Sequence, residues 1–363
     1  MKKSLLTLAI GTLLAGSAYA QSSVTLYGIV DQSIRFQTNA DRGNHSQTQL
    51  TNGAITNSRW GLKGSEALGN NLKAIFQLEN GFDPDTGKAN QGGRLFGRQA
   101  YVGLSGDFGA IKLGRQYTEG FNFFGDYDPL TIGNYDNNAW PFFLTQFRND
   151  NVISYAGSFS GLSVGASYGF GEAPGSFTKG TATTNSYWGT RASYDVGRFG
   201  FGGVYQEVRD QFGNKQQMWG AAGKVGFGAA KVFAGYIGGK DKTGLIDANF
   251  FTPANSANPI PAGGNAQANP RKDAIGYIGA TYQVTPALAL TGVFYGDHIK
   301  NVNSVADNSG NRYTGVLLAE YSLSKRTQVY GTVDYNKVTG GAKTEFPGKN
   351  NQTGVGAGIR HIF

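Results

Sequence analysis

The sequence predicts an all-β fold, a transmembrane antiparallel β-barrel of about 16 strands with short periplasmic turns and long extracellular loops. Apolar and polar residues alternate with a period of two in roughly sixteen segments of about 9 to 13 residues. Short turns alternate with long polar loops between these segments, and an export leader precedes the first segment. An even number of strands of this length is typical of closed single-chain barrels in outer membranes.

The leader predicts a secretory signal peptide over residues 1–20. The basic residues Lys2 and Lys3 precede an apolar run from Leu5 to Ala15, and an A-x-A cleavage pattern ends at Ala20. The apolar run is shorter than the roughly 20 residues that a membrane-spanning helix needs. We therefore expect signal-peptide-dependent export, after which residues 21–363 form one barrel domain without a linker.

The composition restricts the class of protein. Of 363 residues, 56 are Gly and none is Cys, and the hydrophobic fraction of 39% lies below the roughly 45 to 50% of ordinary globular domains. After the leader, no apolar run approaches the about 18 residues of a membrane helix. The formal charge of +8 falls to +6 when Lys2 and Lys3 are removed (8 − 2), and the basic residues are spaced singly. We expect no nucleic-acid partner, no cofactor and no metal site, since no metal-binding or nucleotide-binding spacing is present.

The first mature segment shows the alternation clearly. The apolar parity holds Val24, Leu26, Val30, Ile34 and Phe36, and the other parity holds Thr25, Tyr27, Asp31, Ser33 and Arg35. A soluble sandwich would use strands of about five to six residues and bury one face in a shared core. The longer segments and the Gly-rich, Ser-rich and charged second face favour a membrane barrel with a wet interior, because a sheet in lipid must close on itself.

The last segment predicts a closing strand with a targeting signal. Val355, Ala357, Ile359 and His361 share one parity with Phe363, at which the sequence stops. A terminal strand that ends in an aromatic residue resembles the signal read by the outer-membrane assembly machinery. Phe363 is therefore the candidate membrane-targeting residue.

Four motifs in the first third carry a family resemblance. They are S-V-T-L-Y-G from Ser23, S-R-W-G-L-K-G-S-E from Ser58, F-G-R-Q-A-Y-V-G-L from Phe96 and L-G-R-Q-Y from Leu113. With them the chain resembles a general, non-specific porin of the Gram-negative outer membrane, of the betaproteobacterial type. The resemblance implies a sixteen-stranded barrel, a homotrimer embedded in outer-membrane lipid and lipopolysaccharide, and passive diffusion of small hydrophilic solutes and anions. It also implies a third extracellular loop that folds into the lumen.

That third loop lies within Gly114 to Arg148, a stretch that is aromatic throughout and acidic in its middle. A connection longer than about 12 to 15 residues is usually functional or disordered, and its aromatic content argues against disorder. The resemblance implies that acidic side chains of this loop face a ladder of basic side chains on the barrel wall. Together they would form a constriction with a mild anion preference.

The residues implied by the resemblance fall into two sets. The basic wall consists of Arg59, Arg98 and Arg148, extended by Lys63, Arg35 and Arg115, and the acidic loop residues are Asp126, Asp128 and Glu119. The loop tip reads D-Y-D-P-L where the family pattern is P-E-F-G, so the carboxylate that faces the wall stays open.

Two other readings stay open. A solute-specific channel could use the loop aromatics as a sugar slide: Phe121, Phe123, Phe124, Tyr127 and Trp140. A structural or adhesin barrel would have a closed lumen. An enzyme is not expected, because His45, His298 and His361 lie in two loops and on the apolar parity of the last strand, without a catalytic constellation.

Overall fold

The computed structural model describes residues 23–133, 135, 139–171, 186–247, 267–346 and 348–363. The expected signal peptide, residues 1–20, lies outside the described residues. The described chain forms one antiparallel sheet that closes on itself.

Seventeen strands build the sheet. They are β1 Ser23–Gln37, β2 Gln47–Asn52, β3 Arg59–Gly69, β4 Leu72–Gly81, β5 Gln99–Gly106, β6 Gly109–Tyr117, β7 Arg148–Phe159, β8 Leu162–Gly169, β9 Tyr187–Val196, β10 Phe199–Arg209, β11 Lys215–Phe227, β12 Ala230–Asp241, β13 Arg271–Gln283, β14 Leu288–Lys300, β15 Gly310–Ser322, β16 Thr327–Gly340 and β17 Asn351–Ile362.

Short helical segments lie in the long connections. They are α1 Asn90–Gly93, α2 Glu119–Tyr127 and the 3-10 helices Trp140–Thr145, Val302–Ser304 and Gly341–Glu345.

The sheet is a closed 16-position barrel in which each strand from β3 onward pairs with the next. Closure comes from β1, which pairs with β17 along one edge, for example Ile34 with Ala357. Along its other edge β1 pairs with β3 up to Ile29 and with β2 from Gln32 to Gln37, so β2 and β3 share one position in the wall. Seventeen strands therefore occupy sixteen positions.

The strand β2 lies in the long polar stretch between Gln37 and Thr56, where the sequence pattern indicates a loop and not a strand. Its sequence, Q-T-Q-L-T-N, is almost entirely polar and carries no apolar alternation. The 15-residue strand β1 continues beyond Ile29, which pairs with Arg59, the first residue of β3. The backbone groups of this extension need other partners. Pairing with β2 supplies them.

Side-chain direction follows the alternation. In β1, Arg35 is 4% exposed and Asp31 and Ser33 are buried, whereas Ile34 is 61% exposed and Phe36 also faces outward. Exposed apolar residues recur on one face of strands around the barrel, including Val102, Ile153, Phe201, Ile278, Leu317 and Val355. An apolar outer band with a polar interior is what lipid outside and water inside require.

The two ends of the barrel differ. At one end the strands are joined by turns of two to four residues, as at 107–108 and 323–326, and at the other end by the long connections. The end of the chain meets the beginning at the turn end, where Gly28 and Phe363 exchange backbone hydrogen bonds of 3.0 and 3.1 Å. A Cβ on Gly28 would lie 2.2 Å from the Phe363 ring and 2.8 Å from the Arg59 carbonyl oxygen, so this close approach requires glycine.

Candidate functional site

The connection between β6 and β7 has its own helical structure. Thr118 caps α2 by accepting a hydrogen bond from the Phe121 amide at 3.2 Å. At the other end of α2 the Asp128 amide donates to the Phe124 carbonyl at 2.8 Å. The Thr118 hydroxyl also donates to the Thr145 carbonyl at 2.8 Å, which joins the start of α2 to the second, 3-10 helical part of the connection.

Hydrogen bonds hold α2 against the inner face of β9 and β10. The Glu119 amide donates to the Tyr187 hydroxyl at 2.7 Å, and the Gly120 amide donates to the Gln206 side chain at 2.9 Å. The side-chain amide of Gln216, on β11, likewise holds the 3-10 helix Trp140–Thr145, because it donates to the Leu144 carbonyl at 2.8 Å. Backbone groups at the helix start that lack intrahelical partners are thus satisfied by side chains of the wall.

Further hydrogen bonds hold the connection to other parts of the wall. Trp140 donates to Thr314 on β15 at 2.8 Å, Tyr277 on β13 donates to the Tyr127 carbonyl at 3.1 Å, and the Tyr135 hydroxyl lies 2.7 Å from the Ser33 hydroxyl on β1. Its aromatic side chains other than Phe121 and Phe147 are buried in one apolar cluster with inward residues of the strands, and Phe124 and Phe142 are 0% exposed. The connection is therefore packed along an arc from β9 round to β1.

On the remaining arc, three of the expected basic residues meet around Tyr117. Arg98 donates to the Tyr117 hydroxyl at 2.8 Å and Arg148 donates to it at 3.3 Å. The Arg148 guanidinium also lies over the Tyr117 ring, 4.7 Å from its centroid. Arg59, Arg98, Arg148 and Asp126 line a common cavity of about 410 Å³.

A glutamate that the sequence reading did not assign belongs to this cluster. Glu79, on β4, accepts from Arg98 at 2.7 Å and from Tyr27 at 2.9 Å. Arg59 donates instead to the Asn57 carbonyl at 3.0 Å. Glu79 shares strand parity with Gln77, whose side chain donates to the Tyr27 hydroxyl, so strand parity was the signal that could have placed it inward.

Strand parity alone does not place Arg98, because Tyr101 and Val102 lie on opposite faces of β5 and either could face lipid; its placement follows from contacts. Arg98 is 2% exposed and lies immediately before β5, on the inner side with Glu79. Tyr101 donates to Gln77 on the inner face, whereas Val102 is 59% exposed.

The extended basic set does not share the cavity. Arg35 pairs with Asp334 at 3.1 Å and lies over the Tyr135 ring at 3.9 Å. Arg115 pairs with Asp150 at 2.6 Å, and the Lys63 ammonium lies 5.2 Å from the Tyr27 ring centroid.

The three acidic candidates have different surroundings in the structure. Asp126 is exposed and lines the cavity with the arginines. Asp128 turns to the wall, where it accepts from the Tyr295 hydroxyl at 2.5 Å and from the Ile132 amide at 2.7 Å. Glu119 pairs with Arg191 on β9 at 2.7 Å. Of the three carboxylates, only Asp126 lines the cavity that holds the arginines.

Burial raises the pKa values of Asp128 and Glu119, the two carboxyl groups of the connection that face the wall. Burial raises the pKa of Asp128 to about 6, against the opposing effect of its hydrogen bonds from Tyr295 and Ile132. Burial also raises the pKa of Glu119, an effect that the nearby Arg191 partly offsets.

None of the described helices is long and apolar enough to cross a membrane. Among the described residues, no group of three or more His, Cys, Asp or Glu side chains could hold a metal ion.

The comparisons identify the family. A family model described as Gram-negative porin matches residues 6–341. The chain belongs to the Gram-negative porin family. Membership identifies this porin as an outer-membrane channel protein and not an enzyme.

Similar proteins come from betaproteobacteria. This porin is 33% identical to an outer membrane porin protein of Bordetella pertussis and 30% identical to outer membrane porin protein 32 of Delftia acidovorans, with each chain covered in full. An anion-selective porin from Comamonas acidovorans has a similar structure, with a TM-score of 0.73 and 26% identity over 94% of this chain and 100% of that chain.

Proposed function

We propose that this porin forms a water-filled channel for passive diffusion of small hydrophilic solutes and ions, narrowed by the β6–β7 connection. The observation that carries the proposal is the one-sided packing of this connection. It is held to β9, β10, β13, β15 and β1, whereas the cavity lies between it and β3 to β7. An open path along the unoccupied arc would pass the arginine cluster.

The charges along that path favour anions mildly. Arg59, Arg98 and Arg148 give three positive charges, against Glu79 and Asp126. Rings of fixed charge in a narrow pore bias which ions enter, and opposed charges produce a transverse field that orients polar solutes. Salt weakens this preference, because screening acts over about 8 to 10 Å at physiological ionic strength. The similar Comamonas porin is described as anion-selective, which supports the same sign here.

The test is the reversal potential of the purified porin in a planar bilayer across a salt gradient. One unit charge about 10 Å from an ion in water contributes about 0.4 kcal/mol. We therefore expect Arg148→Ala to lower the anion-to-cation permeability ratio about two- to fourfold, since one charge acts on both ions. Arg42→Ala is the matched control, because Arg42 is exposed in the first long connection.

Three results would contradict the proposal. Cation selectivity of the unmodified porin would refute the charge account, and so would an equal shift from the Arg148 and Arg42 variants. Absence of conductance would refute the open channel itself and favour a closed structural or adhesin barrel.

A solute-specific channel is the second candidate, favoured by one observation. Phe121 stacks on Tyr117 with ring centroids 4.4 Å apart, and both rings line the cavity beside the arginines. Such a surface suits sugars or organic anions. A solute-specific channel predicts saturable transport and block of the ion conductance by the solute. A general channel predicts a solute flux that is linear in solute concentration.

We further propose that the porin assembles as a homotrimer and that the outer-membrane assembly machinery reads the closing strand at Phe363. The family relationship supports both proposals. Phe363 lies at the seam between the first and last strands.

A further inference from the structure

The return from β2 to β3, residues 53–58, folds into the barrel and is called the inward segment below. Ile55 is 7% exposed and belongs to the apolar cluster that holds aromatic residues of the β6–β7 connection. Ile55, Thr56 and Asn57 line the cavity of the arginine cluster, and Ile132 of the β6–β7 connection lines the same cavity. Two connections of the loop end therefore border one cavity.

The inward segment is attached to Asp31 of β1 through both the side chain and the backbone of Asp31. The Asp31 carboxylate accepts from the Thr56 amide at 2.9 Å and from the Thr56 hydroxyl at 3.1 Å. The Asp31 backbone accepts from the Gly53 amide at 2.9 Å and exchanges two hydrogen bonds of 3.0 Å with the Ser58 hydroxyl. Asp31 is 0% exposed and is not among the residues that line the cavity, so it holds the segment without bordering the cavity itself.

Tyr330, on β16, provides a second attachment. Its hydroxyl donates to the Asp31 carboxylate at 2.6 Å and accepts from the Ala54 amide at 2.9 Å. Gly53 lies so close to the Asp31 carboxylate that a Cβ at this position would overlap it. Removing one member of a buried hydrogen-bonded group costs free energy, because its partners lose an acceptor that water does not replace. These contacts therefore fix the position of the segment.

The inward segment also orients one arginine of the cavity. Arg59 begins β3 directly after the segment, and its Nε donates to the Asn57 carbonyl at 3.0 Å. The side chains that the segment itself contributes to the cavity are neutral, namely Ile55, Thr56 and Asn57. Pore diameter and the charge of the lining are separate determinants of selectivity. A neutral wall of this kind restricts the size of a solute and leaves the net charge to the arginines.

We propose that the inward segment is a second wall of the constriction, which sets the size limit for solutes, and that Asp31 is the residue that positions it. This inference rests on the channel proposed above. The inward segment and the β6–β7 connection jointly narrow the path, while the charge comes from the barrel wall. Loss of the Asp31 carboxylate would remove the acceptor of the Thr56 amide and hydroxyl, and the segment would move to reach water in its place.

The first test places a thiol in the inward segment. The chain contains no Cys, so a single introduced thiol reacts alone. Asn57→Cys keeps the backbone carbonyl that binds Arg59 and leaves the contacts of Asp31 intact. Coupling a bulky neutral methanethiosulfonate reagent to it is expected to lower the single-channel conductance to about half or less, because the label enters the path. Ser46→Cys, exposed in the same connection, is the control and is expected to conduct equally before and after labelling.

The second test removes the anchor with Asp31→Ala. Single-channel conductance in the presence of polyethylene glycols of increasing size measures the largest solute that enters. Asp31→Ala is expected to raise this limit about 1.5-fold in molecular mass, because the second wall loses its position. Asp31→Asn is expected to keep the limit, since its side-chain oxygen can still accept from Thr56. Asp241→Ala is the matched control, because Asp241 is also 0% exposed and accepts from the Thr243 and Ile246 amides in another connection.

The outcomes separate the two parts of the proposal. Unchanged conductance after labelling of Asn57→Cys would overturn the second wall. An unchanged size limit in Asp31→Ala, or an equal increase in Asp241→Ala, would overturn the positioning role of Asp31. These results leave the channel proposal standing when the unmodified porin conducts, whereas absence of conductance in the unmodified porin would refute the channel and this inference with it.

Discussion

At the scale of single residues, the charge balance of the cavity depends on two side chains that the sequence motifs do not mark as charged-site residues. Tyr117 accepts hydrogen bonds from both Arg98 and Arg148 and separates two guanidinium groups that would otherwise repel each other across the cavity. Glu79 neutralises one of them. The arginine cluster therefore stays close together without losing its net positive charge.

Neutralising Glu79 should act in the opposite direction to Arg148→Ala. Glu79→Gln keeps the side-chain shape but removes a negative charge beside Arg98, so the anion-to-cation permeability ratio should rise, by about two- to fourfold on the same Coulomb reasoning. Reversal potentials across a salt gradient measure it, with Glu66→Gln at an exposed position as the control. A decrease in the ratio would contradict the assignment of Glu79 to the ion path.

The direction of a side chain, into the barrel or out of it, was predictable from the sequence where strand parity determines it. Asp31, Ser33 and Arg35 lie inward as the alternation in β1 predicts. Arg98 was not predictable in this way, because it precedes its strand and its position depends on Glu79. Asp128 was not predictable either, because its partner Tyr295 lies 167 residues away in the sequence. Contacts of that range depend on the closed fold and not on local pattern.

At the scale of elements, the β6–β7 connection is attached to the wall by a carboxyl group whose charge changes near neutral pH. Asp128 has a pKa of about 6 in the folded protein, above the usual value of 3.8, because burial disfavours the carboxylate. The neutral acid therefore stabilises the fold. This contribution is fully present below about pH 4 and is lost as the pH rises through about 6.

Asp128→Asn should remove this pH dependence. The unmodified porin should gain thermal stability between pH 7.5 and pH 4.5 relative to the Asn variant, which stays neutral throughout. Melting temperatures of both proteins in detergent at the two pH values give the comparison, and titration of all other groups cancels between them. Identical pH responses would show that Asp128 is not held as the structure has it.

The same element shows a limit of sequence reading. The stretch from Gly114 to Arg148 was recognisable as a long aromatic connection, yet α2 and the 3-10 helix within it were not predicted. Phe123, Phe124 and Tyr127 lie on one face of α2, but a helix of nine residues is too short for this spacing to predict it. The caps Thr118 and Asp128 gain their geometry from contacts with the second half of the connection. Tertiary packing, more than propensity, stabilises helices this short.

At the scale of the whole molecule, closure of the barrel depends on the seam between β1 and β17. Gly28→Val should weaken it, because the added side chain would overlap both the Phe363 ring and the Arg59 carbonyl oxygen. Overpacking of this kind costs about 1 to 3 kcal/mol. The expected result is a smaller folded fraction and a lower melting temperature, measured by the mobility of unheated samples on SDS gels and by circular dichroism. Gly276→Val, at an open outward glycine, serves as the control, and equal loss in both variants would contradict a special role of the seam.

The attachments of the β6–β7 connection also have a mechanical consequence. They tie together the wall at Tyr187, Gln206, Tyr295, Thr314 and Ser33, so more than half of the circumference is cross-braced. The arc from β3 to β7, where the arginines lie, borders the cavity and not the packed connection, so we expect it to be the more compliant part of the cylinder. Lateral pressure from the membrane would therefore deform mainly this arc, so the width of the ion path should respond to membrane tension while the braced side keeps its shape.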